Sequence, residues 1–155
     1  MRKRRSFYKL ILEFHKIWDI IKNCPLLARV TFDNGIEKIG KWAFEKCNKL
    51  TSITLPASVT SIDDRAFERC DGLTRITLPR SVRELESWVF INCSGLIRAD
   101  LSRCQVRIIP YGLFEYCTKL QEVKLPDGVD EIKDRAFGDT KCEDDIRRQY
   151  PRLYR

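Results

Sequence analysis

Seven cysteines, one histidine and three acidic pairs are the residues of this chain whose types could do chemistry. Zinc sites bring ligands together at Cys-x-x-Cys or His-x-x-x-His spacing. The cysteines at 24, 47, 70, 93, 104, 117 and 142 offer no such pair, and His15 is the single imidazole. A lone histidine beside an apolar stripe has no nucleophile to activate and no partner to orient it. The acids Asp63/Asp64, Glu84/Glu86 and Asp144/Asp145 have a simpler reading. The first pair precedes Arg65-Ala66-Phe67 and returns in part as Asp134-Arg135-Ala136-Phe137, which capping and surface solvation account for. Gly35, Gly72, Gly95 and Gly128 fall at turn positions, so no phosphate-cradling loop is present in the sequence. The expectation is a protein that is not an enzyme, with no catalytic residues, no cofactor, no metal and no small-molecule substrate.

The spacing of the cysteines carries more than their chemistry. Cys24, Cys47, Cys70 and Cys93 recur every 23 residues, and Cys117 follows after one extra residue. Each is followed three residues on by Leu27, Leu50, Leu73, Leu96 or Leu120. Further apolar columns stand at Val30/Phe32, Ile53/Leu55, Ile76/Leu78, Ala99/Leu101 and Val123/Leu125, and Pro56, Pro79 and Pro126 close three coils. Phe44, Phe67, Phe90, Phe114 and Phe137 complete the frame. Self-similarity at this period marks a solenoid whose coils bury their apolar faces against one another. The five frame cysteines are therefore expected to be buried, reduced thiols filling one ladder position per coil. Cys104 and Cys142 fall outside the column and are the expected reactive sites.

The run from Cys47 through Leu50, Ile53, Leu55, Pro56, Ser58, Val59, Ile62, Ala66 and Phe67 to Cys70 closely resembles the BspA-type leucine-rich repeat. The resemblance spans about residues 24 to 140. It implies an α/β leucine-rich-repeat solenoid acting as a non-enzymatic protein-binding scaffold, often on microbial surfaces, with no catalytic residues to carry over.

The elements expected to build such a stack follow from the residues. Each coil reads as strand, turn, second extended stretch and short helix. Phe7, Leu10, Ile11, Phe14, Trp18 and Ile21 follow helical spacing, which predicts an amphipathic helix capping the first coil. At the other end Thr140 and Glu143 have capping-box spacing before a short helix whose last turn holds Arg147 and Arg148. The organisation is thus one domain: a basic tail and capping helix at 1–23, five repeats at 24–140, and a C-terminal cap at 141–155.

Strand residues alternate faces, so an inward Ile53 and Leu55 turn Ser52 and Thr54 outward. The same register exposes Arg29/Thr31, Arg75/Thr77, Arg98/Asp100 and Glu122/Lys124, a row expected to bind a protein partner, with Arg75 and Arg98 as its anchors. The net charge of +7 lies elsewhere: residues 1–23 carry +5, residues 141–155 carry +2, and the repeats sum to zero. The cluster Arg2-Lys3-Arg4-Arg5 supports an alternative, anchoring to nucleic acid or an anionic membrane. Lys9, Glu13, His15, Lys16 and Asp19 interrupt what an export signal would keep apolar. The chain as written is expected in the cytoplasm, or at the surface if it is a fragment of a microbial surface adhesin.

Overall fold

A computed structural model of the protein describes residues 9–12, 16–17, 22–32 and 35–154. Within them the chain winds as a β-solenoid with two arcs of short parallel strands. The first arc carries β1 (Lys9–Leu12), β3 (Arg29–Phe32), β6 (Arg75–Thr77), β8 (Arg98–Asp100) and β10 (Glu122–Lys124). The second carries β2 (Lys16–Ile17), β4 (Lys38–Ile39), β5 (Ser61–Ile62), β7 (Glu84–Leu85), β9 (Ile108–Ile109) and β11 (Glu131–Ile132). Registers are repeat to repeat: Arg75 pairs with Arg98, Arg98 with Glu122, and Ser61 with Glu84. All the pairings are parallel.

The frame columns form the core. Leu50, Leu73, Leu96 and Leu120 are sealed from solvent, as are Cys47, Cys70, Cys93 and Cys117. Four steps carry the phenylalanine column from Phe44 to Phe137, with ring centroids 5.0, 5.3, 5.4 and 5.8 Å apart. Those spacings track the ~4.8 Å separation of adjacent strands, so one aromatic per coil is what the geometry admits.

The expected short helix of each coil is absent, and a train of turns replaces it. Residues Trp42, Lys46, Arg65, Arg69, Trp88, Asn92, Tyr116, Arg135 and Asp139 all take left-handed φ between 55° and 60°. Two such residues per coil break any right-handed run. The backbone then bonds in two directions: Cys47 N–H donates to Phe44 O within the coil, whereas Phe44 N–H donates across to Ala66 O at 2.7 Å. Amides that a helix would spend on itself instead tie neighbouring coils together. One coil on from Trp88, Gly112 takes the same position with φ 60°, and a Cβ there would meet the Trp88 indole at 2.5 Å, so glycine lets the ring lie against the backbone.

The N-terminal capping helix is also corrected. Lys9–Leu12 and Lys16–Ile17 are strands, with Leu10 opposite Val30, Leu12 opposite Phe32 and Ile17 opposite Ile39. A short apolar run satisfies period 3.6 and period 2 alike, and here the repeat register, extended towards the N-terminus, wins. Phe7, Phe14, Trp18, Ile21, His15 and the Arg2–Arg5 cluster lie outside the described residues. At the far end the expected helix exists, as α1 (Glu143–Gln149), with Ile146 buried. Its capping box does not form. Thr140 Oγ1 donates back to Phe137 O, and Glu143 accepts instead from Asp139 N–H at 3.1 Å. After α1 the chain returns so that Ile132 N–H donates to Leu153 O at 2.7 Å, and Tyr154 bridges Ile132 in parallel. This closing segment covers the last edge of the second arc at Ile132.

Both arcs are interrupted once, and one break has a clear cause. Asp63, Glu86 and Lys133 each donate N–H to the carbonyl of the last residue of the preceding coil's second strand, at Ile39, Ile62 and Ile109. The equivalent donor for Leu85 would come from position 110, which is proline and has no N–H. The second arc accordingly divides between β7 and β9. The first arc divides at Ser52–Leu55, which forms no strand, so the outward row through Arg29, Ser52, Arg75, Arg98 and Glu122 does not rest on one continuous sheet.

Candidate functional site

The outward row takes the face that strand alternation dictates. Arg29, Thr31, Ser52, Thr54, Arg75, Thr77, Arg98, Glu122 and Lys124 are exposed and Asp100 is half-buried, while Val30, Ile53, Ile76 and Ala99 between them are buried. Because Arg75, Arg98 and Glu122 are register partners, their side chains stand one coil apart.

Their electrostatics differ along the row. Arg98 Nε lies 3.1 Å from the Glu122 carboxylate, with both side chains about half exposed, a pairing worth ~1 kcal/mol or less. Asp100 accepts from Ser102 Oγ at 2.6 Å and from Ser102 N–H at 3.0 Å. Those bonds, chiefly the hydroxyl's, hold its carboxyl below the usual range, with Lys124 and Arg103 adding attraction. Arg29 and Arg75 have no ion pair among the described residues. Among the described residues the row is therefore ion-paired at its C-terminal end and carries unpaired guanidinium groups at Arg29 and Arg75.

Ser52–Leu55 is the most unusual stretch of this face. Its backbone N–H and C=O groups make no hydrogen bond within the protein among the described residues, although Thr51 O just before it accepts from Thr74 N–H at 3.3 Å. A cleft of ≈ 550 Å³ opens between this stretch and the next coil, lined on the far side by Arg75, Thr77, Arg80 and Arg103. A second of ≈ 410 Å³ lies towards Arg29 and Phe32, sharing Ser52 and Thr54 with the first. Residues 57, 80 and 103 share one frame position, and Ala57 leaves there the space that arginine fills in the next two coils. Arg80 and Arg103 were not among the residues singled out from the sequence, although their separation by one repeat period was a usable signal.

The cysteines are chemically quiet. Cys70, Cys93 and Cys117 thiols each donate to a phenylalanine carbonyl of the preceding coil, Phe44, Phe67 and Phe90, at 3.1 Å. Burial pushes the Cys47 thiol up to about 12. Its neighbour Cys93 first, then burial, raises Cys70, and burial followed by Cys93 raises Cys117. Cys93 between them differs: burial opposes its thiolate, but hydrogen bonds from Cys117 and Cys70 favour one and draw its thiol down, so that of the three it is the one that would give up its proton first. The reactive role expected of Cys104 and Cys142 is corrected: both are buried, at 5% and 3% exposure, and burial raises both thiols. Cys24, by contrast, is half-buried rather than sealed. No group of three metal-ligating side chains occurs among the described residues.

Stacked parallel coils with a leucine, a cysteine and a phenylalanine in each define the class as a leucine-rich-repeat solenoid. The chain belongs to the BspA-type leucine-rich repeat family, whose repeat it matches in six copies over residues 19–143. No curated protein matches it. Among solved structures it is similar to a leucine-rich repeat protein from Bacteroides ovatus, at 29% identity and TM-score 0.78 over 86% of this chain and 35% of that one. It is similar also to a leucine rich cell surface protein from Faecalibacterium prausnitzii, at 35% identity and TM-score 0.67 over 74% of this chain and 31% of that one. The T. pallidum leucine-rich repeat protein shares the fold at 24% identity and TM-score 0.69, over 95% of this chain and 83% of that one. The chain thus spans about a third of the length of the first two.

Proposed function

We propose that the protein is a non-enzymatic interaction scaffold, a single domain that binds a protein partner through the outward row from Arg29 to Lys124. The observation that carries this reading is the register itself. Three successive coils, paired in register from Arg75 to Lys124, turn alternate polar side chains to one face, which Arg29, Thr31, Ser52 and Thr54 extend, and Arg75 has no carboxylate partner among the described residues. Arginine offers a planar donor fork to carboxylates and is enriched among residues that carry interface energy. A pull-down at controlled salt tests it, comparing the intact chain, an Arg75→Glu/Arg98→Glu variant, and a chain lacking Arg2 to Arg5. The double variant is expected to lose the partner with stability changed by no more than ~1 kcal/mol. Normal capture by the double variant, with loss on removing Arg2 to Arg5 and a steep fall with salt, would assign binding to the cationic tail and an anionic nucleic acid or membrane.

A second reading concerns place. The F. prausnitzii relative is described as a cell surface protein, and this chain spans 31% of it, which supports a segment of a longer surface protein of the adhesin kind. No described helix is long and apolar enough to cross a membrane. Protease shaving of intact cells, followed by detection of the native protein, distinguishes surface display from a cytoplasmic location.

A further inference from the structure

Buried and half-buried backbone polar groups in folded proteins find partners in the chain, in water or in a ligand. Over Ser52–Leu55 four successive residues find none in the chain among the described residues, whereas their equivalents Arg75–Thr77 and Arg98–Asp100 are paired to the next coil. The coils meet again at Arg83 N–H, which donates to Thr60 O at 2.9 Å. The gap is therefore a local opening, stapled at both ends by Thr74 to Thr51 and Arg83 to Thr60.

The chemistry around the opening is one-sided. Arg75, Arg80 and Arg103 line the far wall of the ≈ 550 Å³ cleft, and Arg29 the near cleft. None of the four has an ion pair among the described residues, although the protein as a whole pairs many of its surface charges. Asp100 adds attraction only at longer range, its carboxylate being engaged by Ser102. Between the arginines lie the hydroxyls of Ser52, Thr54 and Thr77 and the aliphatic edges of Leu55 and Pro79.

We propose that this trough is the docking site for an extended acidic peptide segment of the protein partner, with carboxylates received by Arg75, Arg80 and Arg103 and its backbone by the free edge of Ser52–Leu55. The inference deepens the scaffold reading and rests on it. Two clefts sharing Ser52 and Thr54 make a site longer than one small anion needs. Unpaired, outward-lying backbone N–H and C=O groups can bond to the backbone of an extended peptide, and fork-shaped guanidinium groups suit carboxylates. A nucleic acid fits less well. Single strands are held by aromatic stacking platforms, and among the described residues Phe32, half-buried, is the one aromatic lining these clefts. Glu122, beside Arg98, would also oppose a phosphate backbone.

The test is fluorescence anisotropy of the full chain with a labelled ten-residue glutamate-rich peptide, beside its glutamine counterpart. Competitors are inorganic phosphate and a single-stranded oligonucleotide of equal charge. The intact protein is expected to bind the glutamate peptide in preference to the glutamine one. The Arg80→Gln/Arg103→Gln variant should lose about tenfold in affinity. The charge-matched Arg83→Gln/Lys119→Gln variant, outside the clefts, should retain it with an unchanged melting temperature. Equal binding of both peptides, no binding of either, or full binding by the Arg80/Arg103 variant would overturn the proposal. So would displacement by phosphate at concentrations equal to the peptide, which would make this a small-anion site, or tighter binding of the oligonucleotide. If the peptide fails while partner capture still depends on Arg75 and Arg98, the scaffold reading stands and only the acidic segment falls.

Discussion

A thiol becomes reactive through exposure and a lowered pKa, and at the scale of single residues this chain denies both to most of its cysteines. Sequence spacing alone placed Cys47, Cys70, Cys93 and Cys117 in a buried column, because a 23-residue frame leaves a small side chain no other position. It did not show that the thiol of Cys70, Cys93 and Cys117 caps a phenylalanine carbonyl one coil away, since a donor role leaves no periodic trace. Nor did it show that Cys104 and Cys142, though outside the column, are buried as well. Brief labelling of the native protein with a thiol reagent should therefore modify Cys24 first, with mass spectrometry locating the adduct. Equally rapid labelling of Cys104 or Cys142 would contradict the burial described here.

At the scale of elements, what was legible was whatever the core dictates. The strand register and the final helix follow from apolar columns that have only one dry arrangement. The turn train was illegible for a definite reason. Its shape is set by left-handed residues such as Trp42, Arg65 and Arg69, side chains that do not announce such a conformation. The N-terminal strands were illegible because Leu10-Ile11-Leu12 reads equally as a helix face, and pairing with Val30, Thr31 and Phe32 decides between the two. The opening at Ser52–Leu55 was hidden too, as its sequence repeats the pattern of the coil that follows. Left-handed backbone costs a non-glycine residue roughly 1–2 kcal/mol, less for asparagine. Asn92 already occupies the column of Arg69 one coil on, with φ 60° against 57°. Arg69→Asn is expected to raise stability by up to ~1 kcal/mol in chemical denaturation. A loss of that size would mean that the turn train is not built on left-handed positions.

For the whole molecule, parallel coils turn a repeated sequence into a repeated surface. One face presents the polar row, and the turn train, with its cation–aromatic contacts such as Arg65 over Trp88 at 4.5 Å, forms another. Net charge does not choose between them, because the repeats sum to zero and the excess lies at the ends. We propose that the open, arginine-bearing part of the strand row is the face that binds. Hydrogen exchange of the intact chain, alone and with the partner recovered by pull-down, is the most direct measure of that choice. Slower exchange on binding is predicted across residues 29–32, 52–55 and 75–77, extending to 98–100 and 122–124, with the turns at 42–46, 65–69 and 88–92 unaffected. Protection of those turns, or of residues 1–5 alone, with the strand row unchanged, would contradict the assignment of binding to this face.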